Sequence, residues 1–245
     1  LDFITVETTI DWHEKMSMLK LRFPVNMNYL RVSYEIPYGV AQREPDGEEF
    51  PVQTWFDLEG AAPGLDTMVH GLSILNDGRF AADTAGKNGE LTLLRSPIYA
   101  WHEPYVPDPD LEYAYLDQGV QTFTYGLYPH DGSWEEADTI KRAKMMNEKP
   151  VALFETYHRG PLPQKSSFLS VSENNIFVEA VKEAEDGSGD VILRVYEAAG
   201  RNTSVECKVP SLGRAFSLSF TPFEIKTVRL SEGKEAVCNN MLEEN

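Results

Sequence analysis

Alternation of apolar and polar residues is the feature that most limits how this chain can fold. Apolar side chains recur at every second position from Leu30 to Ile36, and the same spacing returns in two later segments. Successive side chains of a β-strand point to opposite faces, so this period predicts strands with one buried face. The residues on the predicted buried faces are Leu30, Val32, Tyr34 and Ile36; Phe123, Tyr125 and Leu127; and Phe216, Leu218 and Phe220.

Denser apolar runs at residues 91–94, 176–181 and 191–196 predict further strands. An acidic link that contains glycine, at residues 185–190, joins the last two runs and is typical of a hairpin turn. Strands joined by turns recur from end to end, which favours antiparallel sheets over alternating β-strands and helices. We therefore predict an all-β fold: a large antiparallel β-sandwich with one short helix.

The helix is predicted to follow Ser133. Ser133 is a suitable N-cap with Glu136 three residues later, which is the capping-box spacing. Basic residues at 141, 142 and 144 suit the end of a helix, where they complement its dipole, and Pro150 soon stops it. The expected buried stripe consists of Trp134, Ala137, Ile140 and Met145.

A change of composition at residues 159–167 indicates a linker, because two prolines, a glycine and small polar residues follow the helical region. We place a domain boundary there. The prediction is a main β-sandwich domain at residues 1–160 and a smaller C-terminal β-sandwich subdomain at residues 161–245.

The net charge of −17, from 39 acidic against 22 basic residues, argues against nucleic acid or an anionic membrane as a partner. Only Cys207 and Cys238 are present, which favours a reducing compartment over a disulfide scaffold. No leader opens the chain and no apolar run could span a membrane, so we expect a cytoplasmic protein. Leu1 is not a start methionine, and we expect the chain to belong to a longer parent protein.

Common catalytic templates are missing from the sequence. The five histidines stand singly, with no HExxH motif and no pair at helical spacing, so no metal ligands are predicted. There is no GxSxG motif and no phosphate-binding glycine loop, and neither cysteine has a basic or helix-start setting. The histidines are His13, His70, His102, His130 and His158.

A polar loop at residues 75–83 is the main candidate for a binding site. Its Asn-Asp-Gly core is typical of a turn, because Asn and Asp tolerate left-handed backbone and bind the local main chain. A purely structural turn is therefore one interpretation. The other is a sugar site, in which Asn76, Asp77, Arg79 and Asp83 offer donors and acceptors to hydroxyl groups.

Aromatic residues in segments rich in proline and charge give a second indication of sugar binding. Exposed rings can stack on the C–H faces of sugars, although Tyr and Trp are equally common in the cores and rims of sandwiches. The residues concerned are Trp55, Tyr99, Trp101, Tyr105, Tyr113 and Tyr115.

An ordered series of motifs resembles glycoside hydrolase family 38, the α-mannosidases, from about Tyr34 to Leu230. Each motif alone is unremarkable, but they follow the family order. The motifs are EIPYG at 35–39, REP at 43–45, EFPVQTW at 49–55, GLSILND at 71–77, LTLLRSP at 91–97, DQG at 117–119, FTYGLYPH at 123–130, LRVYEAAG at 193–200 and EIKTVRL at 224–230.

The resemblance implies a large supersandwich of the galactose-mutarotase type. It further implies the C-terminal accessory domain of a retaining α-mannosidase, whose nucleophile and divalent metal, usually zinc, belong to a separate N-terminal domain. The family's H-x-D metal motif is not found in this sequence. We therefore expect no cofactor on this chain, no activity of the chain alone, and two partners: its own catalytic domain and an α-mannoside.

The same resemblance selects the residues expected near the sugar cleft. By analogy these are Asn76, Asp77, Arg79 and Asp83, with Asp117 and Gln118 as a second choice. The usual family pattern after Asn-Asp is Lys-Tyr-Gly-Tyr-Asp, whereas this chain has Gly-Arg-Phe-Ala-Ala-Asp at 78–83. Two tyrosine hydroxyls are thereby lost, which weakens any shared sugar contact.

Three other functions compete with this interpretation. The exposed aromatics and turn amides would suit a stand-alone carbohydrate-binding β-sandwich. A mutarotase-like enzyme would need a His and a Glu poised on facing strands, which the isolated histidines do not suggest. An oligomerisation surface is compatible with the accessory role.

Overall fold

The computed structural model describes residues 2–64, 68–99, 106–161 and 163–244. The chain divides into two compact units, residues 1–36 with 41–149 and residues 37–40 with 150–245. The domain boundary expected in this chain between residues 160 and 161 stays a prediction. None of the helices formed by the described residues is long and apolar enough to cross a membrane.

The first unit contains a six-stranded sheet, in the order β1-β10-β7-β6-β3-β4, and a four-stranded sheet, in the order β2-β9-β8-β5. The registered pairs in both sheets are antiparallel, as predicted. Its elements are β1 (Ile4–Trp12), β2 (Met18–Pro24), β3 (Asn28–Ile36), β4 (Gly39–Arg43, whose first two residues are assigned to the second unit), β5 (Phe50–Pro51), β6 (Trp55–Ala61), β7 (Val69–Asn76), β8 (Ala81–Ala85), β9 (Asn88–Arg95), β10 (Gly119–Asp131) and α1 (Thr139–Asn147).

The core of the first unit is built from alternate residues of strands in both sheets. Val32 and Tyr34 on β3 and Phe123 on β10 are buried, as the alternation predicts. Tyr34 stacks on Phe56 with ring centroids 5.8 Å apart, and its hydroxyl lies 2.9 Å from Thr84 Oγ1. The buried tyrosine therefore keeps a hydrogen-bond partner inside an otherwise apolar layer.

The helix begins later than predicted. Ser133 and Glu136 do form the capping box, with Ser133 N donating to Glu136 Oε2 over 2.9 Å, but this closes a turn rather than the helix. Asp138 adopts a left-handed backbone with φ of 55°, which interrupts helical geometry, so α1 starts at Thr139. The buried stripe contains Ile140, as expected, but Met146 replaces the predicted Met145, which is exposed.

The second unit is a smaller sandwich with a three-stranded sheet, β11-β14-β15, and a four-stranded sheet, β12-β13-β16-β17. Phe216, Leu218 and Phe220 alternate towards its core, and the link at 185–190 makes the predicted hairpin between β12 and β13. Its elements are β11 (Ser170–Val171), β12 (Ile176–Glu183), β13 (Val191–Glu197), β14 (Thr203–Val209), a 3₁₀ turn (Pro210–Leu212), β15 (Arg214–Phe220), β16 (Ile225–Leu230) and β17 (Val237–Asn239). The all-β sandwich predicted from the sequence is thus confirmed.

Candidate functional site

The loop at residues 77–80 leaves β7 at Asn76, whose side chain holds the loop together. Asn76 is fully buried. Its Nδ2 donates to the Gln53 carbonyl over 2.9 Å, while its Oδ1 accepts from the backbone N–H groups of Gly78 and Arg79 over 3.1 and 2.8 Å. The side chain therefore satisfies backbone groups that the turn would otherwise leave unpaired.

Asp77 and Arg79 extend from this loop over β10. Asp77 Oδ2 accepts from the backbone N–H of Thr124 over 2.9 Å. The Arg79 guanidinium lies 4.5 Å above the centroid of the Phe123 ring, a cation–π contact. Among the described residues no carboxylate pairs with Arg79, and its buried Nε has no hydrogen-bond partner.

Arg79 and Asp117 line one open groove of about 440 Å³ in the first unit. Phe80, which is 63% exposed, contributes an aromatic face. Polar and apolar surfaces of this kind can bind the hydroxyls and the C–H faces of a sugar. The polar and aromatic lining residues are Glu49, Phe50, Arg79, Phe80, Thr92, Arg95 and Asp117.

Asp83 does not line the groove but belongs to an ionic cluster beside it. Lys20 bridges Asp83, with which it is hydrogen-bonded, and Glu49 Oε2, 2.7 Å from its Nζ. Glu49 Oε2 also accepts from the Thr92 hydroxyl over 2.5 Å. Burial opposes the charge of Glu49, yet these donors outweigh it and hold the pKa of Glu49 below its ordinary value.

Asp117 and Gln118 secure the chain just before β10. Asp117 has a left-handed backbone with φ of 52°, and its Oδ2 accepts from the backbone N–H of Arg95 over 2.9 Å. Gln118 Nε2 donates to the carbonyls of Glu14 and Leu116 over 2.9 and 3.0 Å. The structure therefore brings Arg79 and Asp117 to one groove, whereas Asn76, Asp77 and Gln118 bind local backbone.

The predicted aromatic platform is not formed as a set. Trp55 is fully buried and packs on Trp134 at a centroid distance of 5.2 Å, so of the two interpretations the core position holds for Trp55 and sugar stacking does not. Tyr99 is 65% exposed, Tyr113 accepts from the backbone of Asp108, and Tyr115 packs under Lys15. Trp101, Tyr105 and His102 lie outside the described residues.

Sequence reasoning missed a buried polar cluster on the face of the six-stranded sheet near α1. Asp57 Oδ1 lies 2.9 Å from His130 Nε2 and accepts from the Ser73 hydroxyl over 2.7 Å; that hydroxyl is 2.8 Å from Thr139 Oγ1. Burial lowers the pKa of His130, but the bond and charge of Asp57 outweigh it, so the pKa lies above its ordinary value. Only strand register, which pairs Asp57 with Ser73, reveals the cluster.

This cluster contains the residue types of a nucleophilic triad in a different arrangement. In a triad the serine hydroxyl bonds to histidine, and the aspartate orients that histidine. Here Ser73 and His130 both bind the same oxygen of Asp57, and the side chains of Asp57 and His130 are 0% and 3% exposed. The cluster is therefore a buried structural network, and its side chains are not exposed to a substrate.

The described part of the chain contains no cluster of metal ligands. Within residues 2–64, 68–99, 106–161 and 163–244, no three His, Cys, Asp or Glu side chains converge as a metal site would require. These residues do not form a ligand set for zinc.

Comparisons with known proteins define the class of this fold. Residues 2–110 match the glycosyl hydrolases family 38 C-terminal domain, and residues 175–215 match the glycosyl hydrolases family 38 C-terminal beta sandwich domain. A solved structure of a family 38 protein from Enterococcus faecalis has a TM-score of 0.75 over 94% of this chain and 28% of its own, at 23% identity. The fold is therefore that of a glycosidase β-sandwich region.

Two α-mannosidases are similar to most of the chain. Alpha-mannosidase 2C1 of Homo sapiens is 33% identical over 84% of this chain and 18% of its own length. Alpha-mannosidase G of Dictyostelium discoideum is 30% identical over 96% of this chain and 20% of its own length. The chain belongs to glycoside hydrolase family 38, as a C-terminal β domain, and spans at most 20% of the length of these two relatives.

Proposed function

We propose that this chain is the C-terminal accessory region of a retaining, metal-dependent α-mannosidase that hydrolyses terminal α-mannosides. The observation that carries the proposal is the similarity to two α-mannosidases over 84% and 96% of the chain. Retention needs a nucleophilic carboxyl group and an acid/base carboxyl group about 5–5.5 Å apart. Both groups, and the zinc, are assigned to the catalytic region of the parent protein.

Within this chain, the groove of Arg79 and Asp117 is our proposed contact with the sugar. The Arg79 guanidinium has no carboxylate partner among the described residues, although acids outnumber bases 39 to 22. It is held over Phe123 with donors available for sugar hydroxyls, and exposed Phe80 offers a face for C–H groups. The groove would position the substrate, and bond cleavage would belong to the catalytic region.

The proposal is tested on the full-length parent protein. We expect hydrolysis of an aryl α-mannoside, release of the α-anomer as first product by NMR, and loss of activity after chelation with recovery on adding zinc. The isolated chain is expected to be inactive under the same conditions. A full-length protein that folds but cleaves no α-mannoside would contradict the proposal.

A stand-alone carbohydrate-binding module is the second candidate, and the open groove with exposed Phe80 favours it. Calorimetry of this chain with mannose oligosaccharides separates the two. Heat of binding at micromolar sugar, with no hydrolysis by the parent protein, would favour the binding module.

We also propose a cytoplasmic location. Both cysteines are free, with Cys207 buried and Cys238 exposed, which suits a reducing compartment. Cell fractionation of the parent protein tests this point.

A further inference from the structure

The segment at residues 151–161 is unusual because every residue in it is exposed. Four of its side chains are large and apolar: Val151, Leu153, Phe154 and Tyr157, which are 88%, 89%, 102% and 96% exposed. A solvated connection is normally polar, and a close-set group of exposed apolar side chains indicates an interaction site.

The backbone N–H groups of this segment are also unpaired among the described residues. Residues 151–161 belong to no helix or strand, and no hydrogen bond from their backbone N–H groups to another described residue is present. Leu153, Phe154 and Tyr157, with Val151 and Thr156, are residue types that suit a strand. The segment thus offers both unpaired backbone N–H groups and apolar side chains, the combination used when a peptide adds to the edge of a sheet.

Three binding partners for this segment can be compared: a second copy of the chain, a sugar and the rest of the parent chain. A second copy is disfavoured because each copy carries a net charge of −17. A sugar is disfavoured because Val151 and Leu153 offer no ring for stacking and none of the described residues encloses these exposed side chains. The parent chain fits, because this chain spans 18% and 20% of its relatives and 28% of a solved structure that matches 94% of it.

We propose that residues 151–157 dock as an extended strand on the catalytic region of the same parent chain. This inference rests on the proposed function, which supplies that region. The apolar side chains of Val151, Leu153, Phe154 and Tyr157 would be buried against it, and the backbone N–H groups would be paired.

Hydrogen exchange of the full-length parent protein tests the docking directly. Amides of residues 151–157 are expected to exchange on the order of 100-fold or more slowly than unstructured amides. Residues 165–167, which are also exposed but polar, serve as an internal control and should exchange rapidly. Rapid exchange in both segments would overturn the proposal.

Substitutions in the full-length protein provide the second measurement. Phe154→Ser and Tyr157→Ser should each lower the melting temperature by several degrees, whereas Thr156→Ser, a polar neighbour, should leave it unchanged. An unchanged melting temperature in all three variants would contradict docking. Two results of the exchange experiment would also overturn the proposal. If the amide protection disappears when the protein is diluted to monomers, the segment binds a second copy. If the protection requires added mannose, the segment binds sugar.

Activity on α-mannosides separates this inference from the proposed function. If the parent protein is active but residues 151–157 exchange rapidly, the docking proposal is contradicted and the proposed function is not. If the segment is protected but the parent protein cleaves no α-mannoside, the proposed function is contradicted. The protection would then show only that the segment contacts the rest of the chain.

Discussion

His130 on β10 reaches Asp57 on β6 by passing across the strand between them. His130 Nε2 lies 2.9 Å from Asp57 Oδ1, and β7 separates their two strands. The crossing is possible because Gly71 of β7 has no side chain: a Cβ placed there would lie 2.1 Å from His130 Cε1. The buried hydrogen bond therefore depends on Gly71, although Gly71 takes no part in the bond itself.

Gly71→Ala is expected to destabilise the first unit. The added methyl group would displace the imidazole, which combines overpacking with loss of a buried hydrogen bond, at a cost of roughly 2–4 kcal/mol. Urea unfolding measures the change. Gly160→Ala is the control, because a Cβ at Gly160 meets no atom within 4 Å; equal losses in the two variants would argue against this explanation.

His130→Gln is expected to alter how stability depends on pH. The pKa of His130 is raised above 6.5 in the folded protein, because Asp57 outweighs the effect of burial. Its contribution is therefore complete below about pH 6.5 and is lost as pH rises through the higher pKa of the folded state. The wild type should lose stability relative to the variant over that interval.

Unfolding free energies between pH 5 and 9 provide the measurement. His13→Gln is a matched control, because His13 Nε2 also lies 2.8 Å from a carboxylate, that of Asp11, but its side chain is 73% exposed. If the unfolding free energies of the wild type and His130→Gln change in parallel with pH, the hydrogen bond between His130 and Asp57 is not the source of the pH dependence.

Asn76→Ala is expected to lower stability and to raise KM no more than Arg79→Ala does, because Asn76 holds the loop that carries Arg79. The substitution would leave Gln53 O and the N–H groups of Gly78 and Arg79 without their partner, at a cost of about 3 kcal/mol. Asn88→Ala, which removes one exposed bond to Ala85 O, should cost far less. A raised KM at unchanged melting temperature would instead support Asn76 as a sugar ligand.

Arg79→Ala is expected to raise KM for an α-mannoside in the full-length protein by about tenfold, which corresponds to roughly 1.4 kcal/mol. Steady-state kinetics measure it. Arg43→Ala is the control, because Arg43 also lies 4.5 Å over a ring, that of Phe50, but does not line the groove. Equal KM values for both variants and the wild type would remove Arg79 from the sugar contact.

Arg229→Gln is expected to lower the unfolding free energy of the second unit near neutral pH. It should also reduce the further loss of stability as the pH falls. Ser188 and Arg229 hold the pKa of Asp186 at about 2, below its ordinary 3.8. The carboxylate's contribution is therefore complete above pH 3.8 and is lost as pH falls through about 2. The effect should be modest, since Asp186 is 53% exposed and salt screens such a pair.

Acid unfolding of the second unit at low ionic strength measures this effect. Lys208→Gln, in an exposed pair with Glu206 at 3.9 Å, should behave as the wild type does. An identical response of Arg229→Gln and Lys208→Gln to acid would exclude the Asp186 interaction as its source.

The sequence predicted those features that depend on near neighbours in the chain. Strands at Val32 and Phe216, the hairpin at 185–190 and the Ser133–Glu136 capping box all arise from spacing within a few residues. The start of α1 was predicted wrongly because Asp138 adopts φ of 55°, a conformation that no spacing signals. Whether the six candidate residues contact sugar stays a prediction.

Period-two alternation alone determined that this chain forms strands with one buried face, because side-chain direction in a strand is a local property of the backbone. Only the tertiary structure decided which polar groups meet. His130 and Asp57 are 73 residues apart, Asp83 and Lys20 are 63 apart, and Arg79 reaches Phe123 on β10 from the loop after β7. Such pairs depend on strand order and register, which are set by packing of the whole sandwich rather than by any one segment.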